Sequence, residues 1–389
     1  MKFVLSSQNV LDYLIEHGLS DCSQKSTSQV EFIEAKNFNL LVTLPEGHKL
    51  LVKQEPSNFK GQTAAELFGE WRIKKFLQAF PAFDHWRIFL PELLTYDSEN
   101  FILVSTYLDN YRDLRDFYSK ENIFPTKVAT QIGNLLATIH RETWNKESCS
   151  QFFDSEVVSE GYRWSSKWSA LFLRNLERVG PEVFGHTPTD GLKFIALYQQ
   201  DQSLEEAIAQ LRQTISSHCL THNDLKLNNI LLADDWEQSS GNIVRLIDWE
   251  RSDWGDPASD LGTVIGSYLR IWLDNLVISN SLTIEESLQL ATTPLELLQP
   301  SIAALAIGYA KTFPAITQYY ADFWSRVVQF AGLTLISGIW AIIQYRKTFN
   351  NTGIAMLQVA KVLLCSPESS MPTILGAAAD KLTQVNNSA

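Results

Sequence analysis

The chain has 389 residues, 45% hydrophobic and only 20% charged, a balance that supports a large buried core and excludes a disordered chain. Its 44 Asp and Glu outnumber 32 Lys and Arg, giving a net charge of −12. That excess argues against a nucleic-acid partner held by phosphate neutralisation, and the length suggests two or three lobes of ordinary size. Cys22, Cys149, Cys219 and Cys365 are scattered without CxxC spacing, which predicts buried thiols in a reducing compartment rather than disulfides or zinc. Phe3-Val4-Leu5 runs at once into Ser6-Ser7-Gln8-Asn9, so no signal peptide is expected and the chain reads as cytoplasmic.

In chain order, Ser7-Gln8-Asn9 before Val10, Leu11, Leu14 and Ile15, with Gly18 closing the pattern, predicts a capped amphipathic helix. After the polar stretch from Asp21 to Ser28, the runs Val30–Ile33 and Phe38–Leu44, a turn at Pro45–His48 and the run Lys49–Lys53 predict an antiparallel sheet. The turn Glu34–Asn39 contains no glycine, so its backbone approaches a phosphate less freely than a Gly-rich turn does. Within it Asn37 tolerates a left-handed conformation and Lys36 adds charge, and both read equally as plain turn residues. A helix is predicted over Thr63–Gln78 from Ala65, Leu67, Trp71, Ile73, Phe76 and Leu77, and it carries Glu66 and Glu70 one turn apart. Phe101–Leu108 predicts an apolar strand, and Val128–Arg141 a helix with Ile132, Leu135, Leu136 and Ile139 on one face and His140 near its end. From Val327 to Tyr345 no residue is charged, with Arg326 and Arg346-Lys347 as flanks, as in a membrane span. Gln329, Thr334, Ser337 and Gln344 lower its hydrophobicity, and a buried helix is expected instead; no membrane partner is expected.

The chemistry concentrates in His222-Asn223-Asp224-Leu225-Lys226-Leu227-Asn228-Asn229 and in Leu246-Ile247-Asp248-Trp249-Glu250. Cys219–Thr221 leads into the first segment, and Ile230–Leu232 and Ile243–Ile247 predict a hairpin joined by the polar turn Asp234–Asn242. An Asp, an Asn five residues on and a second Asp after one hairpin suit phosphoryl transfer from a nucleotide. One carboxylate orients and deprotonates a hydroxyl, while an amide and a carboxylate oxygen suit Mg²⁺; the hairpin is expected to bring Asn229 and Asp248 within reach of one ion. The plain alternative makes His222 a core histidine, Asp224 a turn former, and Asp256 and Asp260 helix starts.

With Gly255-Asp256-Pro257-Ala258-Ser259-Asp260-Leu261-Gly262 added, these segments resemble the aminoglycoside phosphotransferase and choline kinase group, relatives of the protein kinases. The likeness covers most of residues 30–345. It implies an α+β, bilobal protein kinase-like fold: a small antiparallel sheet lobe over residues 1–107 that binds nucleotide, and a larger, mainly helical lobe over 108–389 that carries catalysis and substrate, with the nucleotide between them. ATP, with GTP left open, and Mg²⁺ are the implied cofactors. By the same likeness Asp224 is the base or orienting carboxylate, Asn229 and Asp248 are metal ligands, and Lys53 binds the nucleotide phosphates and pairs with Glu70, Glu66 being the alternative. Asn37 falls in the phosphate loop, and the backbone around Thr106 to Leu108 would bind adenine. Asp260 and His222 would brace the catalytic loop, and His140 would be structural. Lys226, two residues after Asp224, sits where Ser/Thr protein kinases neutralise the transferred phosphoryl; a solvent-facing loop lysine is the alternative.

After Gly262 the acids Asp274, Glu285, Glu286, Glu296, Asp322, Glu368 and Asp380 are matched by Arg270, Lys311, Arg326, Arg346, Lys347, Lys361 and Lys381, which weakens the case for a polycationic aminoglycoside. The expected acceptor is a small-molecule or peptide hydroxyl. Three relatives stay open here: antibiotic kinases, choline-type kinases, and kinases that phosphorylate Ser or Thr in ribosomally made precursor peptides for a partner lyase. A non-catalytic pseudokinase acting as a binding scaffold would lack at least one of Lys53, Asp224, Asn229 or Asp248, and all four are present.

Overall fold

The computed structural model describes residues 3–56, 63, 65–155, 176, 185, 187–277 and 281–384. The chain divides into two compact units. The first takes the described residues of Met1–Arg112, Phe152–Lys167 and Leu231–Ser252, and the second those of Asp113–Gln151, Trp168–Ile230 and Asp253–Ala389.

The first unit is built on an antiparallel sheet of β1 (Gln29–Ile33), β2 (Phe38–Thr43), β3 (Lys49–Gln54), β4 (Leu93–Asp97) and β5 (Ile102–Thr106), in the order β1-β2-β3-β5-β4. Alternation along the strands gives this sheet two different faces. Leu40, Val42, Leu50, Val52, Ile102 and Val104 form a core with Val10, Tyr13 and Leu14 of helix α1 (Val10–Glu16). On the other face Leu103 and Leu93 pack against Leu67 of helix α2 (Glu66–Ala79). Leu103 lies opposite Lys53 in register, so α2 covers the face that carries this lysine.

Helix α2 begins at Glu66, later than the apolar spacing predicts, because Ala65 takes a left-handed conformation (φ 58°) that a helix cannot continue. Its Arg72 is buried, donating to the carbonyls of Phe153 (3.3 Å) and Ser252, with the guanidinium 4.6 Å from the Phe153 ring centroid. Most of a three-stranded sheet also belongs to this unit: β6 (Tyr111–Asp113), β8 (Ile230–Ala233) and β9 (Val244–Leu246), in the order β6-β8-β9.

The second unit is mainly helical. Helix α4 (Thr126–Thr143), which follows the short α3 (Leu114–Glu121), packs closely on α6 (Leu295–Thr312). Glycine permits that approach: a Cβ at Gly133 would sit 2.2 Å from the Leu305 carbonyl oxygen, and one at Gly308 2.8 Å from that of Thr130. Helix α7 (Phe323–Arg346) lies against α5 (Pro257–Asp274) and α8 (Asn351–Cys365). It is long and apolar enough to cross a membrane, with mean hydropathy 1.7, yet most of its apolar stretch is buried within this unit. That accounts for its composition as the core helix the sequence predicts. A two-stranded ribbon pairs β7 (Cys219–Thr221) with β10 (Asp253–Gly255).

Cys149 and Cys219 are buried as expected, whereas Cys22 is exposed and Cys365 half-buried, so the buried-thiol expectation fails for those two.

Candidate active site

In the first unit, β3 carries Lys53 one residue before its end, and the Nζ lies 2.8 Å from Glu70 Oε2 and 3.6 Å from Asp248 Oδ1. Burial works to lower the pKa of this ammonium, but the charges of Glu70 and Asp248 more than offset it, and the net direction is upward. Glu66, one turn before Glu70, takes a different cation: Lys36 on the β1–β2 turn, at 2.5 Å. The two acids on this helix therefore serve two lysines, and Glu70 is the partner of Lys53.

Asp248 sits at the end of β9 in a left-handed conformation (φ 65°), tolerated by Asp because its short side chain satisfies nearby polar groups. The next residue, Trp249, is buried and donates its indole N–H to Leu246 O at 3.2 Å. Glu250, quoted in the sequence segment but given no role there, is also buried and faces Lys36 (3.9 Å) and Arg251 (3.8 Å). Burial, then the charges of Asp248 and Glu66, push its pKa up to about 8. The only sequence signal for it was its place two residues after Asp248.

Asn37 and Asn39 are nine-tenths buried, and each has an Oδ1 without a hydrogen-bond partner among the described residues. Thr106 and Leu108 line a cavity of about 450 Å³ together with Glu70, Leu77, Arg245 and Trp249. The N–H of Thr106 is committed to Glu92 O and that of Tyr107 to Lys49 O, both at 2.9 Å. Of the stretch expected to meet a base, Leu108 is therefore the cavity residue whose backbone donor is not used by these two bonds.

In the second unit a short loop is held by one buried acid. Asp260, on the first turn of α5, accepts the backbone N–H of His222 (2.7 Å) and of Asn223 (2.8 Å), and His140 Nε2 lies 3.3 Å from it. His140 in turn contacts the Tyr309 hydroxyl at 2.9 Å through Nδ1. Burial alone would raise the pKa of Asp260; the hydrogen bond from His140, the charges of His140 and His222 and the N–H of His222 outweigh it, and the carboxyl is held below its usual range. These bonds fix Asn223 in a left-handed conformation (φ 62°), and the chain then presents Asp224.

Lys226 Nζ lies 2.7 Å from Asp224 Oδ1, and Asn229 Nδ2 donates to the Asp224 carbonyl at 2.8 Å. That anchor orients the amide and leaves Asn229 Oδ1 as its acceptor end. Asp224, Lys226 and Asn229 are thus gathered in this unit, while Lys53, Glu70 and Asp248 are gathered in the other. Asp256 caps α5 by accepting from Ala258 N (3.0 Å) and forms a buried ion pair with Arg326, a structural position as expected. His140 is buried and belongs to the Asp260 network.

A sheet-based first unit and a helical second unit, each holding part of this constellation, define a protein kinase-like phosphotransferase fold. The solved choline kinase LicA from Streptococcus pneumoniae is similar, with a TM-score of 0.51 and 16% identity over 92% of this chain and 99% of that one. Residues 34–286 match the model of the phosphotransferase enzyme family, and the chain belongs to that family. A 4-hydroxytryptamine kinase of Psilocybe cyanescens is 24% identical over 189 residues, 46% of this chain and 46% of that protein. The chain therefore aligns with about half the length of this curated relative.

Proposed function

We propose that this enzyme moves the γ-phosphoryl of ATP to the hydroxyl of a small molecule with Mg²⁺ as cofactor. The observation that carries the reading is the loop pinned by Asp260, which presents the Asp224 carboxylate with Lys226 beside it. Asp224 accepts the acceptor's hydroxyl proton as that oxygen attacks the γ-phosphorus, and the bond to the leaving ADP oxygen breaks. Lys226 offsets negative charge on the transferred group, and Lys53 holds the phosphate chain in place while Glu70 orients it. Asp248 and Asn229 each offer a hard oxygen of the kind Mg²⁺ takes alongside phosphate oxygens and water. Bound there, the ion would neutralise charge on the phosphates.

A small-molecule acceptor is supported by the relative named for hydroxytryptamine and by the balance of acids and bases after Gly262. A peptide hydroxyl, with a partner lyase to follow, has only the Lys226–Asp224 pair in its favour. The test is a nucleotide-consumption panel of hydroxyindole amines, choline-like alcohols, aminoglycosides and Ser/Thr peptides, run with ATP or GTP and with or without Mg²⁺. Metal-dependent turnover of a small alcohol is expected; turnover of peptides alone, or of kanamycin-type compounds alone, would overturn the acceptor class.

A further inference from the structure

Helix α2 starts without a cap of its own. Ala65 stands at its N-cap in a left-handed conformation and has no side-chain oxygen, so the first N–H groups of the helix need an acceptor from elsewhere. Glu55 supplies it: its carboxylate accepts from Glu66 N at 3.3 Å through Oε1 and from Leu67 N at 3.4 Å through Oε2. The acid is buried, 5% exposed. Its own N–H donates to Phe101 O at 3.0 Å, which carries the pairing of β3 with β5 one residue past Gln54.

Residues two apart on an extended chain point to one face, and Glu55 stands two after Lys53. The β3 segment therefore meets α2 at two points. Glu55 takes the N–H groups of Glu66 and Leu67, and Lys53 takes the side chain of Glu70 at 2.8 Å. The spacings match: two extended residues span about 6.7 Å, and the three to four helical residues up to Glu70 span about 4.5–6 Å. A lysine on its flexible four-carbon stem can follow an acid while the helix slides or pivots. A second contact, made to the helix backbone, removes that freedom.

We propose that Glu55 is a positioning residue for phosphoryl transfer: by capping α2 from the strand it sets Glu70 opposite Lys53, and through that pair it keeps the lysine in place for the nucleotide's phosphates. A carboxylate also suits the positive end of the helix dipole. The inference goes beyond the function proposed above and rests on it only for the phosphate role of Lys53. A cap that merely stabilised the helix would leave the Lys53–Glu70 pair as it is, so the two roles part by experiment.

The experiment reads two quantities in wild type, Glu55→Ala, Glu70→Ala and the double variant. One is affinity for ATP and adenosine; the other is the rate at which acetic anhydride acylates Lys53 in the ligand-free protein, followed by peptide mass spectrometry. Glu55→Ala should weaken ATP binding about tenfold, as for a lost hydrogen bond to a charged group, leave adenosine affinity unchanged and speed acylation of Lys53 several-fold. In the double variant neither quantity should move beyond Glu70→Ala alone, because a residue acting through Glu70 has nothing left to position. Glu55→Gln keeps an acceptor oxygen and should stay within about twofold of wild type. Glu55→Asp keeps the charge but is one methylene short; it should behave as the alanine variant does and replaces it if that variant does not fold. Unaltered acylation of Lys53 in Glu55→Ala, or effects that add in the double variant, would reduce Glu55 to a helix cap and overturn the proposal. Should wild type bind no ATP, the nucleotide reading falls, while the acylation cycle still decides this one.

Discussion

The two units hold their functional groups by opposite means. In the second, the residues proposed for catalysis lie within eight consecutive positions, His222–Asn229, and one buried carboxylate accepts two N–H groups from the start of that segment. In the first, the charged groups come from four distant pieces of chain: Lys36 on a turn, Lys53 on a strand, Glu66 and Glu70 on a helix, and Asp248 and Glu250 after β9. There the ion pairs themselves set the geometry. A loop held by its backbone should tolerate side-chain changes without moving, whereas a network of shared charges should rearrange when any one member is lost.

Substitution at the loop tests the first half of that contrast. Asp224→Ala should lower the transfer rate by about 10²- to 10⁴-fold while leaving nucleotide affinity within a few-fold, because the carboxylate acts on the acceptor hydroxyl. Single-turnover rates and nucleotide titration of the same protein check this, and a variant that turns over normally would refute the assignment. Next in size, Asp260→Ala should cost about 3–5 kcal/mol in urea denaturation, since two loop N–H groups and His140 lose a buried partner.

The same acid has a pH signature. Its folded pKa lies below the unfolded value of about 3.9, so its contribution is present above that pH and is lost as pH falls through the folded value. Wild type should therefore lose stability in acid more steeply than Asp260→Asn, and parallel curves would contradict the role given to this carboxylate.

In the first unit, Asp248→Asn should weaken Mg²⁺-nucleotide binding by on the order of tenfold or more, since even residues behind metal ligands cost about 10- to 100-fold when changed. Isothermal titration with and without Mg²⁺ reads it, and equal metal dependence in both proteins would count against the site. The smallest effect concerns His218, whose Nδ1 meets Asn145 Oδ1 at 2.6 Å and whose ring stacks on Trp144. Burial, then the charge of Arg326, holds its pKa below the ordinary value. The unfolded chain thus takes the proton at higher pH than the folded one, so stability is full above about pH 6.5 and is lost as pH falls below it. Denaturation midpoints across that range should show a shallow slope that His218→Gln flattens.

The contrast also explains what the sequence disclosed. The hairpin after the loop was legible because two apolar runs flank a polar turn. Strands β1, β2, β3 and β5 were legible for the same reason, as alternating or apolar runs bounded by turn residues. Missed were β4, with a register irregularity between Leu93 and Thr95, and the three-residue β6 and β10, too short to show a period. Local spacing left Glu66 and Glu70 as alternatives for Lys53, because residues one turn apart share a helix face; only the position of Lys36 in space separates them. Glu250 had no visible role for a related reason. Its environment comes from Lys36 and Glu66, far away in sequence.

Arg72 gives these charges a mechanical consequence. It stands two residues after Glu70 and is bonded to Ser252, four residues after Asp248, so one guanidinium joins the helix carrying the first acid to the segment carrying the second. The two acids around Lys53 are therefore fastened to a common strut. Any stroke that withdrew α2 would drag on the Asp248 segment as well, so Lys53 would tend to keep both partners or surrender both together.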